Sequence, residues 1–100
     1  MRKITKEACD AFERCRDYKN GNTVVNDSGY FLHGNIIAKY ESVRKYDGNN
    51  NIRITLAGWN TNTTRERLNG LRGVHVTTKQ GQAYLNGEKW DGEWITVKRA

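Results

Sequence analysis

The chain has 100 residues, a length that suits one domain with one modest core. Its formal net charge is +6, which favours acidic partners such as nucleic acid or an acidic protein face. No apolar run follows Met1, and no stretch approaches the ~18 apolar residues of a membrane span. These features argue against a signal peptide and a membrane helix, so we expect a cytosolic protein.

The N-terminal segment predicts a helix over residues 4–18. Thr5 is the expected N-cap because its hydroxyl can accept a hydrogen bond from a free backbone N–H group. Asn20-Gly21 is the expected helix end, since glycine readily takes the left-handed C-terminal conformation. Four apolar residues follow the i, i+3, i+4, i+7 spacing of one helical stripe: Ala8, Ala11, Phe12 and Cys15.

The middle of the chain predicts an antiparallel β meander. Alternation from Ile52 to Leu56 predicts a strand with Ile52, Ile54 and Leu56 facing the core and Arg53 and Thr55 facing outward. The run at 47–51 is rich in Asp, Gly and Asn and predicts a loop. The predicted strands are 23–25, 30–33, 36–40 and 52–56.

A short second helix is predicted next. Thr63 and Glu66 have the spacing of a capping box, and Gly70 suits the end of the helix. A helix of about two turns is unstable alone, so packing must stabilise it, and Trp59 and Leu68 are the expected anchors.

The C-terminal part predicts short antiparallel strands joined by glycine turns. Gln80-Gly81 and Asn86-Gly87 are turn signals, the second typical of a type I′ hairpin. Residues 98–100 are expected to be a frayed basic end. The predicted strands are 74–78, 82–85, 89–90 and 94–97. The fold class is therefore α+β in a single domain: an N-terminal helix, an antiparallel β meander, a short capped helix and further short antiparallel strands.

The residue pattern argues against catalysis, a metal and a cofactor. The soft metal ligands show no paired short spacing, and neither histidine has a serine or cysteine motif beside it. No glycine-rich phosphate loop leads from a strand into a long helix. Three carboxylates near the end lie in a glycine-rich turn, where solvation is expected. The residues weighed are Cys9, Cys15, His33, His75, Glu88, Asp91 and Glu93.

Binding to a macromolecule remains, and the basic residues are its candidates. Arg65, Arg67 and Arg72 surround the short helix, while Arg53 and Lys39 lie on strands that lead toward it. If these five converge, their side chains form a cationic patch suited to phosphate or carboxylate contacts. Charge reversal at the three helix arginines is expected to abolish partner binding and to leave folding intact.

The aromatic residues allow two interpretations. They can stack on nucleic-acid bases, or they can form the core, and burial tendencies favour the core by roughly two to one. The residues concerned are Tyr30, Trp59, Tyr84, Trp90 and Trp94.

Three segments, 30–38, 58–69 and 84–94, resemble a family of small proteins encoded by tailed phages and prophages. No activity is attached to that family, so no functional residues carry over. The loop at 47–51 is longer than the family pattern. The resemblance implies a phage accessory protein expressed in a bacterial cytoplasm. Such proteins often block a host machine or defence system, CRISPR complexes included.

Two hypotheses follow. The first is a non-enzymatic inhibitor that binds a host protein or nucleoprotein complex, as anti-CRISPR proteins do. The second is direct binding of DNA or RNA through the basic residues, which would weaken steeply with salt. Neither requires a membrane, and the oligomeric state stays open.

Overall fold

The computed structural model describes residues 1–41 and 51–99, and within them the chain is α+β, as predicted. The helices are α1 (Lys3–Glu13) and α2 (Asn62–Asn69). The strands are β1 (Tyr18–Asn20), β2 (Thr23–Asn26), β3 (Gly29–Leu32), β4 (Asn35–Tyr40), β5 (Ile52–Ile54), β6 (Val76–Lys79), β7 (Gln82–Leu85), β8 (Glu88–Trp90) and β9 (Ile95–Val97). Of the predicted loop at 47–51, residues 47–50 lie outside the described residues.

The strands form two antiparallel sheets. The larger has the order β1-β2-β3-β4-β5-β9, and the smaller has the order β6-β7-β8. The last strand returns to the large sheet, where Val97 lies opposite Ile52 and Ile95 lies opposite Ile54. The end of the chain therefore belongs to the same sheet as the N-terminal meander.

The core lies between α1 and one face of the large sheet. Phe12 stacks on Tyr40 with ring centroids 4.7 Å apart, and Ile52, Ile54 and Leu56 are buried as predicted. Thr55 was expected to face outward, but it is buried. Its hydroxyl donates to the carbonyl of Gly92 at 2.8 Å and accepts from the N–H of Ala57 at 3.0 Å. These two hydrogen bonds satisfy the hydroxyl and join the end of β5 to the turn before β9.

Helix α1 is shorter than predicted, because strand pairing competes with helix propagation. Arg2 is its N-cap, and Thr5 lies buried in the first turn. The helix ends at Glu13, and residues 18–20 form β1, in which Tyr18 lies opposite Val25. The expected helix stop at Asn20-Gly21 is instead part of the tight turn between β1 and β2.

Helix α2 begins earlier than predicted, and the predicted capping box is wrong. The N-cap is Thr61, whose hydroxyl oxygen accepts from the N–H of Thr64 at 3.2 Å. Glu66 does not reach back to a cap at Thr63. It accepts a hydrogen bond from the hydroxyl of Thr5 at 2.7 Å, so it links α2 to α1.

Close approach of the two helices explains Gly70. This residue is the C-cap of α2, as predicted, and its φ of −79° suits any residue type. A Cβ atom at Gly70 would lie only 2.5 Å from the sulfur of Cys9 on α1. The expected anchor Leu68 is fully buried at this contact.

Both C-terminal hairpin turns are confirmed. Gln80 and Gly81 have φ 52° and 82°, and Asn86 and Gly87 have φ 50° and 87°, the double positive φ of a type I′ turn. The prediction of a frayed C-terminal end is wrong for Arg99, which is 3% exposed and forms a 2.6 Å ion pair with Glu13.

Candidate functional site

The five predicted binding residues do not form one patch. Arg67 is buried between the helices and the sheet, whereas Arg65 lies within α2 and Arg72 lies beyond its C-terminal end. Lys39 and Arg53 lie side by side on neighbouring strands of the large sheet.

Arg67 is a structural residue, because its side chain has only 2% of its surface exposed. Its guanidinium donates to the hydroxyls of Thr5 at 2.6 Å and Thr23 at 3.3 Å. It also forms a 2.9 Å ion pair with Glu66. The prediction of Arg67 as a surface contact is therefore wrong. A buried guanidinium needs such partners, because an unpaired buried charge is strongly destabilising.

The other two helix arginines are closer to solvent. Arg65 donates from its guanidinium to the side-chain oxygens of Asn60 and Asn62, which fixes it against the loop that leads into α2. The side chain of Arg72 is exposed, while its backbone N–H donates to Glu13 at 2.8 Å.

Lys39 and Arg53 converge on one aromatic ring. They lie directly opposite each other in the β4–β5 ladder. The Lys39 ammonium is 4.5 Å from the ring centroid of Trp94, and the Arg53 guanidinium carbon is 5.6 Å from the same centroid. Both distances allow a cation–π interaction. The strands thus bring together two of the five predicted residues.

A largely apolar groove of about 550 Å³ lies beside the N-terminal end of α2. Trp59 forms one wall and is 60% exposed, so its prediction as a packing anchor is wrong. We call this feature the Trp59 groove. Its lining residues are Leu32, His33, Asn35, Ile37, Leu56, Ala57, Trp59, Thr61, Thr63 and Thr64.

The loop that carries Trp59 is fixed by backbone hydrogen bonds. The N–H of Trp59 donates to the carbonyl of Leu56 at 2.8 Å, and the N–H of Thr61 donates to the carbonyl of Trp59 at 2.9 Å. Ala57 and Gly58 take left-handed conformations, with φ 54° and 83°. This turn leaves the indole on the surface, and its hydrogen bonds reduce the conformational freedom that binding would remove.

The remaining predicted aromatics divide between core and surface. Tyr30 and Trp90 are buried, and the Trp90 indole N–H donates to the carbonyl of Glu93 at 2.9 Å. Tyr84 and Trp94 are half-buried. Of the five aromatic residues, Tyr30 and Trp90 are therefore the two for which the predicted core role is confirmed in full.

The reactive side chains nearest the core and the groove, Cys9 and His33, have close polar neighbours. The Cys9 thiol donates to the carbonyl of Arg67 at 3.1 Å, and burial raises its pKa to about 11. The thiol is therefore protonated and a poor nucleophile at neutral pH. His33, at the groove, has its Nε2 atom 3.2 Å from the amide nitrogen of Asn22. Across residues 1–41 and 51–99, no three His, Cys, Asp or Glu residues cluster as metal ligands would.

Sequence reasoning missed the groove because it assigned Trp59 to packing. A signal was present: Trp59 follows Gly58 and precedes a run of Asn and Thr, which is the composition of a loop tip rather than of a core element. The opposite wall comes from the β3–β4 hairpin, which is distant in sequence from Trp59.

Comparison with known protein families gives a match over almost the whole chain. The model of the family described as Kyanoviridae Gp96 protein matches residues 1–99. No curated protein and no solved structure matches the chain. In the described part of the chain, neither helix has the length and apolarity needed to cross a membrane.

Proposed function

The chain belongs to the Kyanoviridae Gp96 family of phage proteins, and we propose that it is a non-enzymatic accessory protein that binds a host protein through the Trp59 groove. The consequence of binding is inhibition of a bacterial defence or nucleic-acid-processing complex, in the manner of an anti-CRISPR protein.

The exposed indole of Trp59 carries this proposal. Tryptophan is among the residues most enriched at the energetic centres of protein interfaces. Here it stands beside an apolar groove lined by Leu32, Ile37 and Leu56. An apolar side chain of a partner would contact both the indole and the groove floor, which removes apolar surface from water on both sides.

The rim of the groove adds selectivity. Thr61 and Thr63 line one side, and His33 and Asn35 line the other. These side chains can hydrogen-bond polar groups of a partner around an apolar centre. That arrangement of an apolar core within a polar rim is typical of protein interfaces.

Two further observations support binding rather than catalysis. The buried Cys9 thiol has a raised pKa, and the histidine at the groove is 3.2 Å from an amide rather than beside a nucleophile. Nucleophilic catalysis needs a nucleophile in contact with a base. The groove offers contact surface and hydrogen-bonding groups instead.

The test is capture of host proteins by the immobilised chain from nuclease-treated lysate, quantified by mass spectrometry. Trp59→Ala is expected to lower recovery of a specific partner at least tenfold, because central interface tryptophans contribute about 2 kcal/mol or more. Ile95→Ala is the matched control, since Ile95 is another exposed apolar residue but lies on β9, outside the groove lining. Equal recovery with Trp59→Ala and the unaltered chain would refute the proposal.

A further inference from the structure

The outer face of the large sheet, opposite α1, carries a second group of surface residues. Strand register places them on one face, in two rows. The first row crosses β1 to β4 and consists of Lys19, Val24, Phe31 and Ile36. The second row crosses β4, β5 and β9 and consists of Lys39, Arg53 and Thr96. These side chains are half-buried or exposed, whereas their strand neighbours Val25, Tyr30, Ala38 and Ile54 are buried. We call this surface the outer sheet face.

The positive charges on this face are positioned before any partner arrives. Lys39 and Arg53 are adjacent in the ladder, and both lie within 5.6 Å of the Trp94 ring centroid. Contact with the ring restricts both side chains. Restricting flexible cations in advance lowers the entropy lost when they bind an anion.

Phe31 provides a half-buried aromatic ring on the same face as these cations. It lies between Val24 and Ile36 in the cross-strand row, so the three form an apolar strip. Gly29 packs closely against this strip, because a Cβ atom there would lie 2.6 Å from the carbonyl oxygen of Ala38 and 2.8 Å from the Cδ1 atom of Ile36. Lys19 stands at the far end of the row, so cations lie on both sides of the strip.

We propose that the outer sheet face binds single-stranded nucleic acid. Phosphates contact Lys39, Arg53 and Lys19, and a base stacks on Phe31. Charge complementarity and an aromatic platform are the two features that single-strand binding without sequence preference requires. Trp94 is occupied by the two cations, so Phe31 rather than Trp94 is the stacking residue.

The shape of the face favours a single strand over a duplex. Reading a duplex requires a helix or a β ribbon that projects into a groove, whereas this surface is the face of a sheet. A single strand leaves its bases free to stack on Phe31. Six strands at about 4.8 Å spacing span roughly 24 Å, enough for a site of about four nucleotides.

The test is fluorescence anisotropy of the full chain with a labelled oligothymidine of about 20 nucleotides, and with the same strand paired to its oligoadenine complement. The double variant Lys39→Ala, Arg53→Ala is compared with Lys79→Ala, Lys89→Ala on the small sheet, which removes the same charge from exposed positions. Phe31→Leu removes the aromatic ring and keeps an apolar side chain, which protects the fold. Circular dichroism verifies that each variant is folded.

We expect the single strand to bind more tightly than the duplex. The Lys39, Arg53 double variant should weaken binding at least tenfold and reduce the slope of log affinity against log salt by about 1.4, the value for two phosphate contacts. Phe31→Leu should weaken binding roughly fivefold or more, while the control variant keeps most of the affinity. Equal losses in both double variants, tighter duplex binding or no binding at low salt would each overturn the proposal.

Nucleic-acid binding by the outer sheet face is independent of host-protein binding by the Trp59 groove, so either proposal can fail without the other. Trp59→Ala should leave oligothymidine binding unchanged, and the Lys39, Arg53 double variant should leave capture of the host protein unchanged. If that variant instead abolished capture of a nuclease-resistant protein partner and the oligonucleotide did not bind, the outer sheet face would be a protein interface and the proposal would be wrong.

Discussion

Replacing the buried Arg67 by alanine should destabilise the protein strongly. The guanidinium donates to Thr5 and Thr23 and pairs with Glu66, so its removal takes a partner from three polar groups at once. The side chain is 2% exposed, and water cannot replace those hydrogen bonds without entering the space between α2 and the sheet. The substitution also leaves a cavity in the volume of the side chain.

The size of the effect follows from the contacts. Removing one member of a buried ion pair costs about 3–5 kcal/mol. Glu66 is partly exposed and keeps its contacts with Thr5 and Arg2, so the low end applies, about 3 kcal/mol. For a domain of this size, that loss lowers Tm by roughly 12–24 °C. Arg67→Lys should lie in between, because it keeps the charge but donates from a single nitrogen.

Thermal unfolding followed by circular dichroism measures this directly. Arg65→Ala is the matched control, since it is on the same helix and its bonds are to the nearby Asn60 and Asn62. We expect its Tm to lie close to that of the unaltered chain. If Arg67→Ala shifts Tm by less than about 4 °C, the buried network contributes little and the reasoning is wrong. Because Arg67 is buried, we now expect reversal of the charge at all three arginines to destabilise the fold, contrary to the expectation from the sequence.

Three further predictions concern α2 and its contact with α1. Gly70→Ala should cost about 1–3 kcal/mol through overpacking against Cys9, and adding Cys9→Ala should recover part of that loss in thermal unfolding. Because the folded-state pKa of Cys9 is raised from 9.0 to about 11, its contribution to stability is complete below pH 9 and declines as pH rises through 11. Denaturant titrations should therefore show that the free energy of unfolding falls more at alkaline pH for the unaltered chain than for Cys9→Ala, by up to about 2–3 kcal/mol. Parallel curves of unfolding free energy against pH for the two proteins would contradict this. Thr61→Ala should lower the free energy of unfolding by about 1 kcal/mol and Thr63→Ala by much less. The reverse order would indicate that Thr63 is the N-cap, as the sequence predicts.

Local chemistry made the strands and hairpin turns predictable. The alternation at 52–56 located β5 and its buried residues, and Asn86-Gly87 located a type I′ turn, because both signals depend on a few neighbouring residues. Helix ends were predicted less well. Tyr18 suits a helix or a strand, and its pairing with Val25 decided the outcome. Glu66 has the spacing of a capping box, but its hydrogen-bond partner is the hydroxyl of Thr5, which lies 61 positions earlier in the chain.

The candidate site could not be predicted as a whole, because it depends on which distant residues meet. Nothing in the sequence near Arg67 shows that Thr5 and Thr23 will enclose its guanidinium. Lys39 and Arg53 were predicted as neighbours of the α2 arginines, and the ladder places them together on β4 and β5. Trp94 joins them because β9 pairs with β5, a connection between distant segments that periodicity does not show.

The most direct test of the proposed function is photo-crosslinking from the groove itself. Replacing Trp59 with the photoreactive residue p-benzoylphenylalanine keeps an aromatic group at a position that is 60% exposed. Irradiation in host lysate should give a discrete protein adduct that survives nuclease treatment, and the same residue at position 95 should not give it. An adduct that forms equally at both positions, or none that resists nuclease, would contradict the assignment of the Trp59 groove as the surface that binds a host protein.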